Sequence, residues 1–258
     1  MEWAYTISGF AVGVIVGLTG VGGGALMTPL LVLLFGFAPA VAVGTDLLFA
    51  SITKMGGVWV HGRRGTIEWK VVGQLASGSI PASLLTLVLL SYLDVKQVNE
   101  LIVPLMGVAL LLTALALVFK SQLLKVSRQK ESLTASWRER WLTPMTILLG
   151  FSLGFLVTLT SIGAGALGVV ALFILYPLIP TVKIVGTDIA HAVPLTLVAG
   201  LGHLHMGNVD FALLGSLLLG SLPGIYLGSH LSVKIPEKVL RYMLASMLVL
   251  IGIKFVAS

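Results

Sequence analysis

Glycine interrupts two hydrophobic segments of this chain at matching places, residues 20–24 and 161–165. Some twenty residues after each interruption the sequence Val-Gly-Thr-Asp appears, ending at Asp46 and at Asp188. In lipid, backbone groups freed by such a break must be satisfied by protein, by a cavity or by a ligand. Two interrupted segments at corresponding places in two halves are typical of secondary transporters, which bind substrate at the exposed backbone.

The composition indicates a polytopic, all-α membrane protein. The 258 residues are 57% hydrophobic and 10% charged, whereas soluble domains carry about 25% charged residues. Eight hydrophobic segments are present, several reaching the roughly 20 residues needed to cross a bilayer. The net charge of +6 lies mostly in loops and indicates topology rather than nucleic-acid binding. The lack of cysteine excludes disulfides and thiolate metal sites.

The two halves form an internal repeat with an offset of 142 residues. The matched residues are Val43–Asp46 with Val185–Asp188, His61 with His203, Gly65 with Gly207, Gly73 with Gly215, Gly78-Ser79 with Gly220-Ser221, and Pro81 with Pro223. Chance matches in apolar sequence would favour Leu, Val and Ala. We therefore predict a first membrane repeat at 1–119, a basic linker at 120–141 and a second membrane repeat at 142–258. Each repeat would hold one glycine-broken or re-entrant segment plus three transmembrane helices.

The loop charges favour an inverted arrangement of the halves. Four full spans in each half would make them parallel and would place Lys234, Lys238 and Arg241 outside, against the positive-inside rule. Re-entrant hairpins at the breaks would place all the basic loops, including the central linker, in the cytoplasm. The pieces 5–18 and 25–37 would each cover only about 20 Å of the ~30 Å hydrocarbon core. A single kinked span at each break is the alternative.

The chain resembles the sulfite exporter TauE/SafE family. The pattern that carries the resemblance is Gly13-x3-Gly17-x2-Gly20-x-Gly22-Gly23-Gly24-x-Leu26-x2-Pro29 followed by Val43–Asp46, repeated after a basic linker. The resemblance implies an integral membrane transporter of small anions such as sulfite or organosulfonates, in the bacterial cytoplasmic membrane. The second motif departs from the first, with Thr158, Ser161 and Ala164 in place of glycines.

A small anion in a membrane needs hydrogen-bond donors to replace water. Free amides at helix starts supply them, and glycine lets the backbone approach closely. The predicted substrate-binding residues are Thr19, Gly22, Gly23, Gly24, Thr160, Ser161, Gly163, Ala164, Gly165 and Lys54. Close helix packing is the alternative for glycine, and we favour it for Gly13, Gly17, Gly150 and Gly154.

Four ionisable residues could take part in binding or coupling. Lys54 lies near mid-membrane, where it could face the substrate or instead snorkel to the inner surface. Asp46 and Asp188 are either helix N-caps or a coupling site for a proton or sodium ion. Asp188 and His191, three residues apart, could form a proton relay.

The repeat-matched His61 and His203 are expected at the membrane interface, and His203-x-His205 alone is weak support for a metal site.

The sequence thus predicts a secondary transporter, expected to export a sulfur-containing anion by alternating access around a midplane site. A proton- or sodium-coupled importer and an anion channel are the alternatives, with Asp46, Asp188 and His191 as coupling candidates. We expect no enzymatic activity, no cofactor and no metal. The expected partners are a small anion and the lipid bilayer. The oligomeric state is open, with a homodimer as one option.

Overall fold

A computed structural model describes residues 2–19, 24–129, 135–232 and 236–257. These residues form ten helices joined by short connections, which confirms the all-α prediction. The helices are α1 Glu2–Thr19, α2 Gly24–Phe35, α3 Pro39–Arg63, α4 Trp69–Ser91, α5 Val95–Gln129, α6 Ala135–Thr160, α7 Ala166–Leu175, α8 Thr181–His205, α9 Phe211–Ser232 and α10 Glu237–Val256. Seven of these helices are long and apolar enough to cross a membrane.

The second predicted break separates two helices, while residues 20–23 of the first lie outside the described part of the chain. Helix α1 ends at Thr19 and α2 begins at Gly24, while α6 ends at Thr160 and α7 begins at Ala166. Helix α6, before the second break, is longer than α1 or α2. Its segment Arg140–Thr160 is by itself long and apolar enough to span the bilayer. Helices extend into the predicted linker 120–141 from both sides, since α5 continues to Gln129 and α6 begins at Ala135. Re-entry of the broken segments stays a prediction.

The main helix–helix contacts join one half of the molecule to the other. Helices five apart in chain order are repeat equivalents, so that α1 corresponds to α6 and α4 to α9. Helix α1 packs on α9, and its equivalent α6 packs on α4. The equivalent pairs α3 with α8 and α5 with α10 pack on each other. Every one of these four contacts joins one half to the other, so neither half has a complete core of its own.

Glycine makes the closest of these contacts possible. Gly13 of α1 lies against the backbone of Ser221 in α9, and Gly154 of α6 lies against the backbone of Ser79 in α4. A Cβ atom at either glycine would overlap the neighbouring main chain. The same holds for Gly17 and Gly150. The packing role predicted for these four glycines is therefore confirmed.

The equivalent helices α3 and α8 run antiparallel. Gly44, near the start of α3, lies against the backbone of Asn208, just beyond the end of α8. Gly186, near the start of α8, lies against Thr66 and His61 at the end of α3. Each glycine of the repeated Val-Gly-Thr-Asp motif thus contacts the loop that follows the equivalent helix of the other half.

The threonines of the same motif fasten those loops by hydrogen bonds. The Thr45 hydroxyl accepts the amide of Asp210 at 3.1 Å, immediately before α9. The Thr187 hydroxyl accepts the amide of Glu68 at 3.0 Å, immediately before α4. Gly and Thr of the motif therefore have packing and capping roles, and the aspartate remains to be explained.

Candidate functional site

The second break is an irregular, buried turn between α6 and α7. Ser161, Gly163 and Gly165 have positive φ angles of 59°, 119° and 139°, a region that residues other than glycine rarely adopt. The Thr160 hydroxyl accepts the amide of Ile162 at 3.1 Å. Within the described residues, the amides of 163–165 and the Ser161 hydroxyl have no hydrogen-bond partner. The turn therefore offers unused donors at the N-terminal end of α7, where the helix dipole is positive.

Lys54 reaches this turn from the other half of the molecule. Its side-chain ammonium on α3 donates a hydrogen bond of 2.6 Å to the carbonyl of Ala164. The head group is thus held at the break rather than extended along α3 toward the end of its helix. A positive charge and the free amides of the turn lie side by side, which is the combination that binds an oxyanion.

Asp46 lies buried on α3, on the same side as Lys54. Its Oδ2 accepts the hydroxyl of Thr28 on α2 at 2.5 Å, while Oδ1 has no partner among the described residues. Ser161 of the second break is adjacent, and the charge of Lys54 is within electrostatic reach. The first half therefore contributes a carboxylate whose one oxygen is held by a hydroxyl.

Asp188 is the repeat equivalent on α8 and is equally buried, with 1% of its surface exposed. Neither of its carboxylate oxygens has a hydrogen-bond partner in the described part of the chain. Gly168 of α7 lies directly against Oδ1, where an added Cβ would overlap it. Lys54 is again the charge within electrostatic reach. An unpartnered carboxylate at a buried position is unusual and calls for a function.

The N-cap interpretation of the two aspartates is wrong. Helix α3 begins at Pro39 and α8 at Thr181, so each aspartate is the eighth residue of its helix. Both carboxylates lie beyond the first turn of their helices and are buried. They cannot satisfy the free amides of a helix start, which are found only in the first turn.

His191 makes no hydrogen bond to Asp188 within the described residues, and a relay between the two stays a prediction. His191 is buried, and its Nε2 shares a 2.8 Å hydrogen bond with the hydroxyl of Ser79 on α4. His203 is also buried and donates from Nε2 to the carbonyl of Thr158 at 2.9 Å. His203 lies in the last turn of α8, where the sequence put it, and it contacts α6 inside the bundle; its depth in the membrane stays a prediction. His61 is half-buried and bonds Thr66 at 2.8 Å.

The first break lies mostly outside the described residues. Gly22 and Gly23 belong to that part, as does the side chain of Thr19, and Gly24 is the first residue of α2. Their role in binding stays a prediction. Among the described residues, no cluster of three His, Asp or Glu side chains could hold a metal ion.

Three residues of this site were not singled out from the sequence. Thr28 had a usable signal, because it is the one hydrogen-bonding side chain in the otherwise apolar α2. Ser79 appeared only as a repeat match. Gly168 had no signal, since nothing in the sequence shows that it faces a carboxylate from another helix.

Similarity to known proteins covers the chain almost from end to end. The family model for the sulfite exporter TauE/SafE matches residues 5–255. The "Probable membrane transporter protein YjnA" of Bacillus subtilis (strain 168) is 41% identical over 259 residues, which cover 99% of this chain and all of that protein. The "Probable membrane transporter protein MJ0441" of Methanocaldococcus jannaschii is 30% identical, over 96% of this chain and 92% of that protein.

A third relative, the "Probable membrane transporter protein YdhB" of Bacillus subtilis (strain 168), is 30% identical over 90% of this chain and 91% of that protein. No solved structure matches the chain. The family and the printed names of the three relatives agree with a bundle of apolar helices that can cross a membrane. This chain is a multi-pass membrane protein that belongs to the sulfite exporter TauE/SafE family of membrane transporters.

Proposed function

We propose that the protein is a secondary transporter that exports a small sulfur-containing anion, such as sulfite or an organosulfonate. The anion binds between the ammonium of Lys54 and the free amides of residues 163–165. The hydroxyl of Ser161 supplies a further donor. The family supports the anion class, and the chemistry of these groups supports their placement at the site.

One observation carries this proposal: Lys54 of the first half is hydrogen-bonded to the broken backbone of the second half at 2.6 Å. An ionisable side chain in the membrane interior is costly and marks a functional site. The contact places the positive charge beside unpaired amides rather than at the lipid surface. An anion bound there would be held by both halves at once.

Alternating access follows if the two halves move relative to each other around this shared site. The antiparallel packing of the equivalent helices α3 and α8 supports an inverted arrangement, in which the same movement opens the site to one side or the other. We place the protein in the bacterial cytoplasmic membrane with the basic linker 120–141 in the cytoplasm. A homodimer is compatible with this scheme but is not required by it.

Ligand binding to the purified protein tests the assignment. The panel is sulfite, sulfate, thiosulfate, sulfoacetate, taurine and acetate, each read out as thermal stabilisation. A ligand at 100 times its Kd stabilises a protein by about 2.7 kcal/mol, which is a measurable shift. We expect one or two of the sulfur anions to stabilise and acetate to do nothing. Stabilisation by none of the sulfur anions would contradict the proposal.

Transport in proteoliposomes distinguishes a carrier from a channel. We expect efflux of the stabilising anion to saturate with its concentration, because each transport cycle moves one bound anion. Steady electrogenic flux that does not saturate would favour the channel instead.

A further inference from the structure

We propose that Asp188 takes up a proton when the anion binds, so that proton and anion occupy the transporter together. The inference rests on the proposed function, since it assigns a second ligand to the same site. It starts from an asymmetry between two equivalent carboxylates. Asp46 has a hydroxyl donor in Thr28, and Asp188 has no donor among the described residues.

Burial without donors favours the neutral form of a carboxyl group. An ionised carboxylate away from water needs hydrogen bonds or a countercharge, and otherwise tends to bind a proton. Asp188 is 1% exposed, and both of its oxygens lack a donor in the described part of the chain. The countercharge available to it is Lys54, which it shares with Asp46 and with the Ala164 carbonyl.

Lys54 is the charge that links the proton to the anion. With both aspartates ionised, Asp46, Lys54 and Asp188 carry a net charge of −1, and an arriving anion adds to it. Protonation of Asp188 brings the net charge of the three groups to zero. The positive charge of Lys54 can then attract the anion. Like charges a few ångströms apart repel strongly away from bulk water. Anion binding and proton uptake at Asp188 therefore promote each other.

The other groups packed against α8 do not replace Lys54 in this role. Helix α7 has no titratable residue, and those of α6 and α4 lie in or next to their first turns. Helix α3 also brings Asp46, and it carries His61 and Arg63 in its last turn. On α8 itself, His191 is bonded to Ser79, His203 to the Thr158 carbonyl, and Lys183 to Glu68 at 2.7 Å.

A proton suits this position better than a metal cation. A bound cation needs several oxygen ligands around it, whereas one carboxylate oxygen is sufficient for a proton. The transporter then moves proton and anion in the same direction. Outward transport requires that the outward anion gradient, together with the inside-negative potential acting on any negative charge that the pair still carries, exceed the opposing pH gradient, and an acidic exterior favours uptake.

The experiment measures sulfoacetate binding to the purified wild-type protein between about pH 6 and pH 8.5, where both acidic groups of sulfoacetate stay ionised. We expect the Kd to rise by up to about tenfold per pH unit as the free protein loses its proton. We also expect uptake of up to one proton per bound sulfoacetate, read with an indicator dye in weak buffer. Replacing sodium by potassium should change neither quantity.

The variant Asp188→Asn carries a neutral isostere of the protonated side chain. It should bind sulfoacetate with a Kd that does not depend on pH and should take up no proton. The control variant Glu100→Gln, which neutralises an exposed carboxylate paired with Lys96, should keep both the pH dependence and the proton uptake. If Asp188→Asn fails to fold, the absence of proton uptake by the wild-type protein would still overturn the inference.

The outcomes separate this inference from the proposed function. Sulfoacetate binding without proton uptake and with a constant Kd would overturn the role of Asp188 and leave the anion site intact. Loss of the pH dependence in Asp46→Asn but not in Asp188→Asn would reverse the assignment. A Kd that depends on sodium would replace the proton by a cation. No binding of sulfoacetate at any pH would contradict the organosulfonate assignment itself, and the proton linkage with it.

Discussion

Asp46 and Asp188 occupy equivalent places in the two repeats, yet their surroundings differ. Alignment of Ala25-Leu26 with Ala166-Leu167 puts Val169 at the position of Thr28 and Gly168 at that of Met27. The first half therefore gives its aspartate a hydroxyl donor, and the second half gives its aspartate only a glycine.

Lys54 is also unmatched between the repeats. Its equivalent is Thr196, whose hydroxyl bonds to the carbonyl of Ala192 in its own helix at 2.8 Å. The repeat thus gives the two halves equivalent helices, but the side chains at the site differ between the halves. The first half contributes the cation, and the second contributes the described break and the open carboxylate.

The largest effect is expected for Lys54→Gln, which removes the cation that both carboxylates share. Loss of a charged hydrogen-bonding group at such a site costs at least about 2 kcal/mol, or roughly 30-fold in affinity. The measurement is the Kd for the anion that stabilises the wild-type protein. The control, Lys96→Gln, removes an exposed lysine that pairs with Glu100 at 3.7 Å, and should bind normally. Wild-type affinity in Lys54→Gln would disprove our placement of the site.

Thr28→Val gives Asp46 the surroundings of Asp188. A buried carboxylate that loses its donor costs about 1–3 kcal/mol in the free energy of unfolding, measured by chemical unfolding in detergent micelles. The same substitution should cost less in the Asp46→Asn background, because the charged acceptor is gone. An equal cost in both backgrounds would show that the Thr28–Asp46 bond does not stabilise the first half.

Gly163→Ala tests the backbone of the second break. A residue with a Cβ held at a φ of 119° is strained, and we expect a cost of about 1–2 kcal/mol together with weaker anion binding. The control is Gly73→Ala in α4, where the added Cβ meets open space and alanine should be neutral or stabilise by about 0.5–1 kcal/mol. The equivalent substitution Gly22→Ala extends the comparison to the first break. No cost at Gly163 would contradict the observed turn.

Thr45→Val and Thr187→Val should have the smallest effects, and equal ones. Each removes one hydrogen bond between a helix of one half and a loop of the other, worth about 1 kcal/mol. Chemical unfolding again gives the values. If the costs of the two substitutions in the free energy of unfolding differ by more than about 1 kcal/mol, the two halves differ in their helix packing as well as in their binding residues.

The sequence predicted most of the frame, because membrane burial and repetition leave strong patterns. Hydropathy gave the helices, and the matched Gly, Pro, Asp and His residues gave the repeat. The predicted packing of Gly13, Gly17, Gly150 and Gly154 is confirmed. The N-cap interpretation failed because segment starts were taken from hydropathy. The actual starts of α3 and α8 are marked by Pro39 and by Pro180 at the N-cap position.

By itself the sequence determined the class of protein, the helical arrangement and the position of the second break, since these follow from local composition and spacing. The tertiary structure alone decided which groups meet. Lys54 and Ala164 are 110 residues apart in the chain, and Thr28, Ser79 and Gly168 reach the aspartates or His191 from separate helices. Such contacts depend on how helices from both halves pack around one another. For that reason the difference between Asp46 and Asp188 could not be predicted from the sequence, in which both end the same Val-Gly-Thr-Asp motif.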